Sequence, residues 1–131
     1  MSPFLALSAA AGFASAIGHS LLSEKILLRP MFAARGDNRV LQNAATRRVI
    51  RWVFHLPSIV WALTAAAKLF LAAGAPYTDD WRRSTLPAFA FFGAAIYFRA
   101  AVVNAYALRR IHLGNVLLTI AGAGLLLGAW T

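Results

Sequence analysis

The stretch "SPFLALSAAAGFASAIGHSLLS", residues 2–23, contains no lysine, arginine, aspartate or glutamate. As an α-helix its 22 residues would extend roughly 33 Å, which is more than the hydrocarbon thickness of a bilayer, about 30 Å. The stretch therefore predicts a transmembrane helix, which we expect to run from about Pro3 to Leu28.

The composition of the whole chain is typical of an integral membrane protein. Of its 131 residues 60% are hydrophobic and only 13% are charged, which is about half the charged share of a soluble domain. Three more apolar spans follow, from near Arg48 to Gly74, from about Leu86 to Leu108 and from Leu113 to Trp130. Because the links are short, we predict an all-α fold: a membrane-embedded antiparallel four-helix bundle that forms one domain over residues 1–131.

The distribution of lysine and arginine predicts the orientation of the helices. The first loop and its flanks carry seven of these residues, whereas the middle and third loops carry two each. Basic residues are concentrated on the cytoplasmic side of membrane proteins. We therefore predict that loops one and three are cytoplasmic and that both termini lie outside (N-out/C-out). The net charge of +9 then reflects membrane topology and not nucleic-acid binding.

Polar and ionisable residues concentrate at the predicted cytoplasmic ends of the helices. All three histidines fall in this layer, on three different helices. Ionisable residues inside a membrane are costly and are by default functional candidates. The polar site predicted from the sequence consists of His19, Glu24, Arg51, His55, Arg99, Asn104 and His112.

Glu24 is the acidic member of this layer, and leucines flank it on both sides. An ionised carboxylate there is costly unless a guanidinium pairs with it, so Arg51 or Arg99 is the expected partner, in a functional site or in a structural salt bridge. His19 and Glu24 lie about 140° apart around an α-helix, so they share a site only if the helix deforms or the site reaches around it. Ser20 and Glu24 share one face.

The three histidines suggest metal chemistry, with a structural alternative. His19, His55 and His112 would leave an open position on a transition metal, and haem would fit between histidines of the first two helices. However, the sequence has no tight ligand spacing such as His-Glu-x-x-His, and it has no cysteine. His112 follows two arginines, as an interfacial or helix-capping histidine would.

Lys68 and the small residues have simpler interpretations. Lys68 lies six residues before the predicted end of the second span, where its ammonium group is expected to reach the interface. Small residues that recur every three or four residues favour close helix packing. Two such faces, which would pack either within the bundle or between protomers, contain Ala121, Gly124 and Gly128, and Ala10, Ala14 and Gly18.

Three segments carry a family resemblance: "GHSLLSEKILLRPMF" (18–32), "RRVIRWVFHLPSIVW" (47–61) and "RRIHLGN" (109–115). They resemble an uncharacterised family of small bacterial four-helix membrane proteins. In that family the first helix ends in His-Ser-x-x-Gly-Glu, the second opens with Arg-x-x-Trp-His, and a late histidine follows a basic residue. The resemblance implies the bacterial inner membrane as the location, and it supports the polar site without naming an activity. Ser23 and Phe54 depart from the pattern, whereas the matching residues are His19, Ser20, Glu24, Arg51, His55 and His112.

The sequence supports three hypotheses about function. The first is a transporter or channel for protons or a small solute, with the His/Glu/Arg layer as its relay or gate. The second is a metal- or haem-binding membrane enzyme or redox accessory subunit, and the third is a structural subunit of a larger membrane complex. The expected partners are membrane lipids and either further copies of the chain or another membrane subunit, because so small a chain would have to associate to surround a pathway.

Overall fold

Helices account for 90% of the structure, a computed structural model that describes residues 2–73 and 78–130. These residues contain no strand, so the predicted all-α class is confirmed. The elements are α1 (Pro3–Leu22), a π-helical segment (Ser23–Leu28), α2 (Arg29–Ala33), α3 (Arg39–Gln42), α4 (Ala44–Ala72), α5 (Asp79–Leu108) and α6 (Leu113–Trp130).

Four helical spans are long and apolar enough to cross a membrane, which confirms the predicted number. The first is Pro3–Ala33, which joins α1, the π-helical segment and α2, and the others are α4, α5 and α6. Large apolar side chains such as Leu63, Phe92 and Val102 are exposed on the outer faces of these helices. Such surfaces are expected where lipid surrounds the helices, so the structure indicates a multi-pass membrane protein.

The start of α4 is set by a capping side chain that was not anticipated from hydropathy. Asn43 Oδ1 accepts hydrogen bonds from two backbone N–H groups of the first turn, at 2.8 and 3.3 Å. The helix therefore begins at Ala44 and not near Arg48. It continues through Pro57 to Ala72, and the predicted end at Gly74 lies outside the described residues.

The start of α5 corrects a second boundary. The third span was predicted to start at about Leu86, but residues 79–85 are helical as well. Thr78 Oγ1 caps this helix by accepting a hydrogen bond from the Trp81 N–H at 3.3 Å. Asp79 and Asp80 occupy the first turn, where the helix dipole favours negative charge.

Helix α1 packs against both α4 and α6, and α6 packs in turn against α5. Along α1 and α4 the contacting residues run in opposite order, since Gly12 lies beside Ala65 whereas Glu24 contacts Arg51. One buried apolar cluster contains Ala11, Ala16, Trp61, Tyr97, Ala101, Leu118 and Ala121. A second contains Leu5, Ala72, Ala90 and Leu125.

The glycine face of α6 packs within the chain. A Cβ atom at Gly128 would lie 2.6 Å from Leu5 Cγ, and one at Gly124 would lie 2.9 Å from the Phe4 carbonyl oxygen. The backbones of α1 and α6 approach closely because these positions carry no side chain. Gly18 on α1 differs, because no atom of the described residues lies within 4 Å of a Cβ built there.

Candidate functional site

The first span is deformed at Glu24, as it would have to be for His19 and Glu24 to contribute to one site. Between Ser23 and Leu28 the first span widens into a π-helix, and the Arg29 N–H donates to the carbonyl of Glu24, five residues earlier. Single π-helical turns inside α-helices occur frequently at functional sites. The deformation therefore coincides with the acidic residue of the polar layer.

Glu24 pairs with Arg51 and not with Arg99. Its Oε1 lies 3.1 Å from Arg51 Nη2, which donates a hydrogen bond, and 3.6 Å from Arg29 Nε. The side chain of Glu24 is 23% exposed, whereas those of Arg51 and Arg29 are 48% and 69% exposed. Arg51 also stacks over the ring of Phe32, 5.5 Å from its centroid. Both guanidinium groups reach solvent, so the two ion pairs add little to the free energy of unfolding. Their main effect is to hold the Glu24 carboxylate in position.

His55 on α4 connects Glu24 to Ser20. Its Nδ1 lies 2.8 Å from Ser20 Oγ and its Nε2 lies 3.5 Å from Glu24 Oε2. Oε2 is buried and has no hydrogen bond, so the ring nitrogen and the carboxylate oxygen face each other at ion-pair distance. A neutral imidazole would accept from the serine and present Nε2–H to Glu24, and a protonated one would present N–H groups to both.

His19 makes the reciprocal contact from α1. Its Nδ1 lies 3.0 Å from the Oγ of Ser58, which is buried on α4, and its ring meets Trp61 edge-on, with 5.2 Å between ring centroids. Each of the two histidines thus hydrogen-bonds a serine of the opposite helix. The pair of contacts joins α1 and α4 through four polar side chains, and we call His19, Ser20, Glu24, Arg51, His55 and Ser58 the polar cluster.

A groove of about 250 Å³ between α1 and α4 borders this cluster. Three of its lining residues, Ser20, His55 and Ser58, belong to the polar cluster. The rest of the lining is apolar and consists of Phe13, Ala16, Ile17, Ile59 and Ala62. The two serines and His55 therefore border a groove that lies between the two helices.

His112 does not join the cluster. Its Nδ1 accepts a hydrogen bond from the Gly114 N–H at 3.0 Å, and its own N–H donates to Asn115 Oδ1 at 3.1 Å. These bonds organise the start of α6, which is the capping role considered above for this residue. Its Nε2 is buried without a hydrogen-bond partner in the described part of the chain.

The other predicted members also lie apart. Arg99 is exposed and Asn104 is half-buried on α5, and it is Tyr97 of this helix that hydrogen-bonds to α4. In residues 2–73 and 78–130, no group of three or more His, Cys, Asp or Glu side chains is arranged to hold a metal ion. The structure thus does not assemble His19, His55 and His112 as a set of metal ligands.

A second polar centre was missed from the sequence. Lys68 was expected to extend to the interface, but its side chain is fully buried. Its Nζ donates to the Ser8 carbonyl oxygen at 3.4 Å and lies 4.0 Å from the centroid of the Tyr97 ring. The Tyr97 hydroxyl contacts Thr64 Oγ1 at 3.1 Å and the Trp61 carbonyl oxygen at 3.3 Å.

Helical periodicity is the sequence signal that would have predicted the burial of Lys68. The buried residues of α4 recur at intervals of three or four, namely Ser58, Trp61, Ala65, Lys68 and Ala72. Lys68 therefore lies on the inward face of α4 together with a serine of the polar cluster.

Comparison of this chain with protein-family models, curated proteins and solved structures finds no match. The resemblance to small bacterial four-helix proteins stays a prediction, and the functional proposal depends on the geometry alone.

Proposed function

We propose that this protein is an antiparallel four-helix protein of the bacterial inner membrane that conducts protons, and that the polar cluster is its cytoplasmic entrance. The observation that carries the proposal is the line Ser20–His55–Glu24. A hydroxyl, an imidazole and a carboxylate follow one another at 2.8 and 3.5 Å across two helices. Each of these groups can both take up and release a proton.

The proton is favoured over a larger solute because the groups of the cluster already contact one another. A solute the size of an amino acid would have to separate His19 from Ser58 and Ser20 from His55, and each pair is within hydrogen-bond distance. Proton transfer needs a change of hydrogen-bond direction between Ser20 and His55 and a closer approach of His55 Nε2 to Glu24 Oε2, which lie 3.5 Å apart. Imidazole suits this role because it changes charge near physiological pH.

The proposed orientation, with both termini outside, rests on the excess of basic residues around the first loop. Three of the cluster's near neighbours, Lys25, Arg29 and Arg47, are part of that excess. The opposite order of contacts along α1 and α4 supports the antiparallel arrangement. A second copy of the chain is part of the proposal, because so small a chain would have to associate to surround a pathway.

The decisive experiment measures proton flux into liposomes that contain the purified protein and an internal pH-sensitive dye, with a potassium diffusion potential as the driving force. We expect flux from the wild type and a loss of flux in His55→Gln. His112→Asn is the matched control, because it changes a histidine outside the cluster and replaces the Nδ1 acceptor of the Gly114 N–H by a side-chain oxygen that can also accept. Wild-type flux equal to that of protein-free vesicles, or equal flux in His55→Gln and the wild type, would overturn the proposal.

The same purified sample tests the metal and haem hypotheses. Visible absorbance typical of haem, or about one transition metal per chain by elemental analysis, would favour a redox or enzymatic role over conduction.

A further inference from the structure

Lys68 is the buried charged side chain that the polar cluster does not include. Three helices enclose it: α1 contributes Ser8 and Gly12, α5 contributes Tyr97, and α4 contributes its own neighbouring turns. Among the described residues, Tyr97 is the titratable group that faces it. One backbone carbonyl and one aromatic face are weak substitutes for the hydration of an ammonium ion.

No carboxylate side chain is placed to neutralise Lys68. Glu24 contacts Arg51, and Arg51 precedes Lys68 by 17 residues on α4, which is roughly 25 Å along the helix. Asp80 precedes Tyr97 by 17 residues on α5, which gives a similar separation. The remaining two carboxylates of the chain are Asp37, between α2 and α3, and Asp79, at the first residue of α5.

The amine of Lys68 lies inside the apolar spans. The carbonyl to which it donates belongs to Ser8, and the Ser8 hydroxyl donates to the carbonyl of Ala121. Lys68 is four residues from the end of α4, Ser8 is five residues from the start of α1, and Ala121 is near the middle of α6. In a membrane a charge without a partner is costly at such a position.

The space between Gly12 and the amine is filled. A Cβ atom at Gly12 would lie 2.9 Å from the Tyr97 hydroxyl oxygen, 3.2 Å from Ala65 Cβ and 3.6 Å from Lys68 Nζ. Even one methyl group at this position would therefore meet atoms on three sides. The packing of α1, α4 and α5 thus leaves no added space on the Gly12 side of Nζ.

We infer that Lys68 is a buried proton-binding residue, which rests as a neutral amine and becomes an ammonium ion when a proton arrives. The amine lone pair accepts the proton from one side, and the ammonium ion releases it to the other, so no charge remains at Lys68 between transfers. The charge state is inferred from burial and packing alone, whereas the role of Lys68 in conduction rests on the proposed function.

The inward face of α4 provides the connection to the polar cluster. Lys68 is followed toward the cytoplasmic end by Thr64, which contacts the Tyr97 hydroxyl, and then by Ser58 and His55. These positions are separated by four, six and three residues, so the longest step, from Thr64 to Ser58, covers roughly 9 Å along the helix. A proton released at Lys68 would thus move along α4 toward His55 and Glu24, and the step past Trp61 is the longest on this path.

The charge state can be measured directly because the chain has only two lysines, Lys25 and Lys68. Protein labelled with ¹⁵N at the lysine side chains gives one signal from each, and Lys25 is exposed and serves as an internal reference. The variants Lys25→Arg and Lys68→Met assign the signals. We expect the Lys68 signal to be that of an amine at neutral pH and to become that of an ammonium ion when the sample is acidified. A Lys68 signal that stays ammonium together with Lys25, or that never gains a proton, would overturn the inference.

The conduction role is tested in the flux assay. We expect Lys68→Met to reduce flux to the level of protein-free vesicles and Lys25→Met to leave it unchanged. If Lys68 titrates but the wild type conducts no protons, the proposed function fails and the proton-binding assignment stands. If Lys68→Met conducts like the wild type, Lys68 is not on the pathway, whatever its charge state. Since the spectroscopic measurement uses the wild type, it decides the assignment even if Lys68→Met does not fold.

Discussion

Replacing Gly124 by alanine is expected to destabilise the fold, because the new methyl group would meet the backbone of α1. It would lie 2.9 Å from the Phe4 carbonyl oxygen and 3.0 Å from Ser8 Cβ, and neither atom belongs to a flexible side chain. The two helices would have to separate by a few tenths of an ångström, and overpacking of this kind costs about 1–3 kcal/mol. Alanine is favoured over glycine inside a helix by up to about 1 kcal/mol, which offsets part of this cost.

The matched control is Gly18→Ala on α1, where no atom of the described residues lies within 4 Å of the added methyl group. Both variants gain the same helix propensity, so the difference between them isolates the packing cost, about 1–3 kcal/mol. Thermal or denaturant unfolding in a mild detergent measures this difference. Equal stability of Gly124→Ala and Gly18→Ala would refute the close approach of α6 to α1.

Three further outcomes are expected. Ser58→Ala should lower the free energy of unfolding by about 1 kcal/mol, because Ser58 is buried and His19 loses its hydrogen-bond partner; unchanged thermal unfolding would contradict that role. Glu24→Gln should reduce proton flux while leaving thermal unfolding nearly unchanged, since its partner Arg51 is half exposed; normal flux in this variant would remove Glu24 from the relay. A reporter that is active only in the cytoplasm should give a signal when fused at Gly36, and one that is active only outside should give none. Equal signals from the two reporters would contradict a single orientation.

The helical spans were predictable because hydropathy and length determine them directly. The fourth span matches the predicted bounds, Leu113 to Trp130. The starts of α4 and α5 were placed too late, since Asn43 and Thr78 cap their helices with single side-chain oxygens. A hydropathy average over many residues does not register such a local hydrogen bond.

The part of the site that could be predicted from the sequence is the part formed by a single pair of helices, α1 and α4. Glu24, Arg51 and His55 come together because α1 and α4 are joined by a short loop and their polar ends must lie side by side. His112 and Arg99 share the same depth but lie on other helices, and the rotation of each helix about its axis decides whether they face inward. That rotation is set by packing against neighbours, which also turned Lys68 toward Tyr97 and away from lipid.

The length of α5 has a consequence for the way it crosses a bilayer. α5 has 30 residues and extends roughly 45 Å, whereas the hydrocarbon core is about 30 Å thick. A helix of this length must tilt in the membrane or extend beyond the hydrocarbon core. The first turn of α5, with Asp79 and Asp80, would then lie at the level of the headgroups, where charged side chains stay hydrated.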